Sequence, residues 1–286
     1  MNKIIAWIGL ILSITAIFSA IFFEFHFWYG FLLIGSFLFF DYLNEKNSKK
    51  SILKNFSKMN KSFLIYAYLI GFSISLLLDY VFGQLIGANW FYRHGSDFLN
   101  FVFPAMIYYP IGALSVYAFY NFIAFFIEKK FKGSFWKLNL SLKAKNKINN
   151  FLLGILFLSI IFPLMNFLFN NNLNANYFTA VLMIANIFTF DPVYFHLTKK
   201  SLFFFKLIEG SKKTIISLLA SLPLLVLMHE YPNVFAGEWV YQNVAFLGEK
   251  IFGIPLIVAG FGWIFIITFS VSFIETMLFY HSKKKK

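Results

Sequence analysis

The sequence predicts an all-α, polytopic integral membrane protein, and three observations carry that prediction. Hydrophobic residues make up 59% of the 286 residues and charged residues only 13%, with a mean hydropathy of +0.71. A soluble chain of this size needs more charge to cover its surface. Several apolar runs approach or exceed the ~20 residues that cross ~30 Å of hydrocarbon. The lysines fall in clusters between those runs rather than being spread along the chain.

Eight spans are expected, over residues 4–23, 27–43, 62–81, 99–127, 151–169, 177–195, 214–228 and 251–280. The first lacks a small-x-small cleavage pattern at its end, so it reads as a span and not as a signal peptide. Pro104 and Pro110 are expected to tilt or kink the long fourth span. Basic loops cover residues 45–61, 128–147 and 199–213. The middle one, FKGSFWKLNLSLKAK, mixes aromatic residues and leucines with lysines and is expected to lie flat among lipid headgroups. With eight spans, 23 of the 25 Lys and Arg residues fall on one face, leaving only Arg93 and Lys250 on the other. That asymmetry places both termini in the cytoplasm. The net charge of +13 therefore reads as a membrane-surface feature, with no nucleic-acid partner. The 43 Phe, with abundant Asn, Lys and Ile, fit an AT-rich genome, and the expected location is a prokaryotic plasma membrane.

The chain also matches itself. At a shift of 150, Asp41 meets Asp191 and Lys49-Lys50-Ser51 meets Lys199-Lys200-Ser201; at 151, Asp79-Tyr80 meets Glu230-Tyr231 and Pro104 meets Pro255. Trp90 and Tyr92 meet Trp239 and Tyr241 at 149, and each acid lies 25 residues before its proline. The pattern predicts two tandem four-helix repeats, 1–148 and 149–286, within one membrane domain. Four is an even number, so the halves should be related by an axis along the membrane normal. A cavity is expected where they meet.

Asp79 and Glu230 are the candidate catalytic residues, as proton donors. Each ends an apolar run near the outer face, where a carboxyl is either a solvated helix end or one of a pair facing a shared cavity. Trp90, Tyr92, Tyr231, Trp239, Tyr241 and His229 are the candidate substrate-binding residues. The aromatic ones read either as an interfacial belt or as surfaces that stack on a polyene and stabilise a carbocation. His94 and His229 lie near the acids, but their spacing matches no metal motif, and no metal or other cofactor is expected. Asp41 and Asp191 read as solvated ends, as partners of neighbouring lysines, or as an ion gate. The chain has no Cys, and no Walker A, GxSxG or HExxH pattern supports an ATPase or hydrolase.

The stretch Glu230…Gly237-Glu238-Trp239-Val240-Tyr241-Gln242-Asn243…Leu247-Gly248…Ile251-Phe252-Gly253-Ile254-Pro255, with Asp79…Asn89-Trp90-Phe91-Tyr92…Pro104 as a weaker copy, resembles the membrane lycopene cyclase domain of the heterodimeric or fused type. The resemblance covers two windows of the chain. It implies a tandem layout and acid-initiated cyclisation or isomerisation of an isoprenoid. The family's glutamates after the proline are missing, because Leu256-Ile257-Val258 and Ala105-Met106-Ile107 stand there. Either Asp79 and Glu230 serve instead, or the chain is a non-cyclase relative that binds an isoprenoid or lipid. The expected function is accordingly the handling of an apolar isoprenoid or membrane lipid between the repeats. The rivals are a transporter coupled through Asp79 and Glu230, and a non-catalytic scaffold that packs against a second copy or another membrane protein. A transporter should show a polar path from Asp79 and Glu230 to Asp41 and Asp191. An enzyme should show a closed apolar cavity with one acid at its wall, and a scaffold should show neither.

Overall fold

A computed structural model describes residues 3–25, 27–48, 50–86, 90–93, 98–168, 190–242 and 248–283. These are mostly helical. Five helical stretches are long and apolar enough to cross a membrane: Lys3–Phe23, Lys61–Val81, Pro104–Lys130, Lys212–Ala236 and Val258–Lys283.

Helices α1 (Lys3–Phe23) and α2 (Trp28–Ser48) form a tight hairpin. Their backbones touch at Gly9 and Gly35, where a Cβ on either would come within about 2.7 Å of the other's carbonyl oxygen. Close backbone approach replaces a hydrophobic driving force between helices in lipid. Short α3 (Ile52–Phe56) follows, then α4 (Lys61–Leu76), which continues as a π-helical segment, Leu77–Ile86. Strand β1 (Trp90–Tyr92) leads towards α5 (Phe98–Lys130). Pro104 and Pro110 both lie inside α5, which absorbs them. Proline is tolerated within spans because neighbours and local adjustment satisfy the freed backbone groups.

Helix α6 (Leu142–Leu168) contains most of the predicted fifth span. The sixth lies largely outside the described residues, which resume with α7 (Phe190–Thr198). Short α8 (Phe204–Ile208) precedes α9 (Lys212–Ala236). Helix α9 runs through Pro232 and stops at Gly237, whose φ of 61° terminates it with a hydrogen bond to the Asn233 carbonyl. Glu230 is therefore inside the helix and does not end it. Strand β2 (Trp239–Tyr241) follows, then a hairpin of β3 (Lys250–Ile251) and β4 (Ile254–Pro255). Phe252 and Gly253 have φ of 51° and 81° at the hairpin's turn, the backbone of a type I′ turn. This hairpin occupies the start of the predicted last span. The helix proper begins after Pro255, passes through a π-helical turn at Val258–Gly262 and continues as α10 (Trp263–Lys283).

The larger core joins α2, α5, α9 and α10 through residues such as Phe37, Val116, Leu225 and Ile267. A smaller one gathers Ala16, Ala20, Trp28, Leu32, Ala236 and Trp239. The basic loops assemble at one end of α5 and α9, where Lys213 pairs with Glu128 and Lys145 with Glu209. The β1–β2 pair closes the opposite end.

Asp41 and Asp191 are neither solvated ends nor partners of the neighbouring lysines. They are 0% and 1% exposed. Asp41 accepts hydrogen bonds from Ser51 Oγ (2.7 Å), Ile52 N (2.6 Å) and Leu53 N (3.3 Å). Asp191 accepts from Ser201 Oγ (2.8 Å), Leu202 N (2.6 Å), Phe203 N (3.2 Å) and Phe204 N (2.7 Å). Each carboxyl thus takes up free amide donors at the start of a short helix, α3 or α8, ten residues further along the chain in both cases.

Candidate functional site

Asp79 sits in the π-helical extension of α4, and three donors converge on its carboxyl: Trp90 Nε1 (2.6 Å), Tyr92 OH (2.8 Å) and Tyr109 OH (2.6 Å). Three also converge on Glu230: Trp239 Nε1 (3.2 Å), Tyr241 OH (2.9 Å) and Trp263 Nε1 (3.0 Å). The local reason is the period of a strand. Alternate residues share one face, so the Trp and the Tyr of each Trp-x-Tyr reach the same carboxyl. The two strands are themselves paired antiparallel, Trp90 opposite Tyr241 and Tyr92 opposite Trp239. Arg93 N extends the pairing by donating to the Glu238 carbonyl at 2.9 Å. The Arg93 guanidinium lies where a Cβ on Gly237 would sit, so glycine there serves both the helix stop and this approach.

Two of the six donors escaped sequence reasoning. Tyr109 comes from α5 and Trp263 from α10, and nothing in their local spacing marks them. The usable signal is chemical: an indole N–H can only donate, so a Trp within a span needs an acceptor nearby.

Tyr29, also not anticipated, lies within electrostatic reach of both Glu230 and Asp79. Its ring centroid is 4.9 Å from that of Trp239 and 5.6 Å from that of His229. Trp28 stacks on Trp239 at 5.9 Å, and His229 lies 4.7 Å from Trp263. His229 is fully buried, and among the described residues neither ring nitrogen has a hydrogen-bond partner. Of the predicted site residues, Asp79, Glu230, Trp90, Tyr92, Trp239, Tyr241 and His229 come together. Tyr231 does not join the donors; its ring packs against Phe235. Among the described residues no three His, Asp or Glu side chains gather to hold a metal ion, and His94 lies outside those residues.

Glu238, between α9 and β2, adds a different kind of acid. Its Oε2 is buried with no hydrogen-bond partner among the described residues, and burial pushes the carboxyl up from 4.5 to about 7. The folded state then binds more protons than the unfolded state between those values, so stability falls as pH rises through that window. Glu238→Gln is expected to flatten the fall and, after allowing for solvent screening, to stabilise the protein by about 1 kcal/mol at pH 8. Thermal unfolding of both proteins at pH 5 and pH 8 measures this. A wild type no less stable at pH 8 than at pH 5 would contradict it.

Chemically, the site offers two carboxyls that each accept three hydrogen bonds, one carboxyl that titrates near neutrality, and aromatic faces around them. Compared with known protein families, with curated proteins and with solved structures, the chain matches none.

Proposed function

We propose that this is an eight-span protein of two tandem four-helix halves, both termini cytoplasmic, which handles an apolar isoprenoid or lipid molecule beside the carboxyl–aromatic site. Support for the tandem reading comes from the matched hydrogen bonds of Asp41 and Asp191, the pairing of one Trp-x-Tyr with the other, and the three aromatic donors on each acid.

The observation that carries the substrate class is an apolar groove of about 410 Å³ lined by Leu12, Thr15, Ala16, Phe23, Phe25 and Phe31. Its size is that of a small-molecule site. Ala16 belongs both to this groove and to the cluster of Trp28 and Trp239, so a chain lying there approaches the site. Asp79 and Glu230, with three donors each, act as fixed acceptors that hold the aromatic side chains in place. Among the described residues no acid lines the groove itself; the proton donor in this reading is Glu238, next in the chain to Trp239 of the cluster that Ala16 joins. Protonated near neutrality, it gives its proton to an alkene carbon; the π pair forms the new C–H bond and leaves a carbocation. The Trp and Tyr faces stabilise that cation. Return of a proton to the Glu238 carboxylate completes an isomerisation or cyclisation with no redox change and no cofactor.

The test is extraction of purified protein and mass spectrometry of bound apolar molecules. Thr15 is exposed on the groove wall, so Thr15→Trp fills the groove without entering the core. It is expected to cut the enriched molecule by at least about tenfold. Extracts that match bulk membrane lipid in both proteins would overturn the reading.

One observation favours a second reading, transport. Among the described residues, the hydroxyls of Ser217, Ser221 and Ser272, buried within spans, have no hydrogen-bond partner, and neither does the His229 ring. Unpaired polar groups are costly there, and a passing polar solute or water would satisfy them. Proton flux in proteoliposomes that Ser221→Ala alters, without any enriched apolar molecule in the extract, would select it.

A further inference from the structure

A second site lies at the lysine-rich end of the bundle. Between α7, α8 and the start of α6 is a cavity of about 290 Å³ whose wall carries Lys145, Lys199, Lys200 and Lys206, with Tyr194 and Phe205 among its apolar residues. One carboxylate, Glu209, also lines it and is paired with Lys145. Asp191 lies beneath Ser201, but its carboxyl is taken by four donors from residues 201–204. Among the described residues, no carboxylate pairs with Lys199, Lys200 or Lys206. Four lysines therefore line one small cavity against a single lining carboxylate, Glu209, which Lys145 engages; Lys199 Nζ also donates to Asn146 Oδ1 at 3.4 Å. Desolvation and the nearby Lys213 lower the Lys206 pKa, offset in part by Asp191, Glu128 and Glu275; a bound anion would reverse this.

The surroundings say which anion. A non-helical strap beside the cavity is tied to the α8 region: Phe135 N donates to the Gly210 carbonyl at 2.8 Å, Trp136 Nε1 to the Ile208 carbonyl at 2.6 Å, and Lys212 N to the Gly133 carbonyl at 3.1 Å. On it Phe135 and Trp136 are 53% and 50% exposed, and Lys132 and Lys137 lie among them. Exposed aromatic residues mixed with lysines belong at the depth of lipid headgroups. A soluble anion needs only the lysines; an anionic phospholipid uses both, its phosphate among the lysines and its chains along the strap.

We infer that the cavity between α7 and α8 binds the phosphate headgroup of an anionic phospholipid, through Lys199, Lys200 and Lys206, with the Phe135–Trp136 strap against its chains. The site is separate from the apolar groove and does not depend on what the groove holds.

Native mass spectrometry of the purified full chain in neutral detergent tests this, with dioleoyl phosphatidylglycerol or dioleoyl phosphatidylcholine added. Wild type is expected to retain one phosphatidylglycerol with roughly tenfold preference over phosphatidylcholine. The triple change Lys199→Gln, Lys200→Gln and Lys206→Gln should abolish that preference at an unchanged melting temperature. The control Lys61→Gln, Lys130→Gln and Lys143→Gln removes equal charge elsewhere and should keep it. If the triple variant melts early, Lys206→Gln alone must still lower the preference. Equal retention by wild type and triple variant would overturn the inference, as would equal loss in the control. Displacement of the lipid by millimolar inorganic phosphate, at unchanged ionic strength, would reassign the cavity to a soluble anion.

Discussion

Glu230→Gln is expected to lower the apparent Tm of the purified protein by roughly 5–10 °C, a loss of about 2–3 kcal/mol for a chain of this size. Glu230 is 4% exposed and accepts from two indole N–H groups and one hydroxyl. Glutamine keeps one acceptor oxygen and turns an amide donor towards groups that already donate. The indoles of Trp239 and Trp263 cannot reverse their role. The Trp239 N–H then faces an opposing amide donor and falls back on its second acceptor, the Tyr241 hydroxyl at 3.1 Å; donor set against donor costs more than the lost hydrogen bond itself. Read as a helix end, Glu230 would tolerate the change; inside α9 it cannot. A double-mutant cycle separates this from simple loss of packing. Removing the donor that would face the amide as well, in Glu230→Gln with Trp239→Phe, should recover about 1–2 kcal/mol relative to the sum of the single effects. Additive effects in that cycle would rule out the shared hydrogen-bond cluster. Asp79→Asn should behave in the same way towards Tyr92→Phe.

Asp191→Asn is expected to destabilise by about 2–4 kcal/mol and to loosen α8 before the rest of the chain. Three backbone amides and the Ser201 hydroxyl share its two oxygens, and asparagine offers one oxygen and an opposing NH₂. Hydrogen exchange followed by mass spectrometry should show faster exchange across residues 201–209, with α10 little changed. Asp41→Asn should show the same across residues 51–57, because Asp41 holds the start of α3 by equivalent bonds. An ion gate would give another result: altered ion flux with exchange at α3 and α8 unaffected. Unchanged exchange in both variants would remove the capping role.

By itself the sequence determined most of the long helices and that they are apolar enough to cross a membrane, because apolar length and composition act locally. Its spacing also matched Asp41 with Asp191, and one Trp-x-Tyr with the other. What those correspondences do was decided by tertiary structure. Asp41 and Asp191 looked like solvated ends because an acid beside lysines reads that way until the chain folds back and presents free amides ten residues further on. Glu230 looked like the end of a helix because Met228-His229-Glu230-Tyr231-Pro232 carries polar residues and a proline, yet α9 continues to Ala236. Tyr109, Trp263 and Tyr29 reach the acids from other helices, over separations that no local pattern encodes. The burial of Glu238, and with it a carboxyl that titrates near neutrality, exists only once β1 and β2 pair and Tyr108 of α5 comes near. Periodicity and spacing record what each segment must bury. A shared hydrogen-bond acceptor or a desolvated acid is a property of segments brought together, so it is settled by packing.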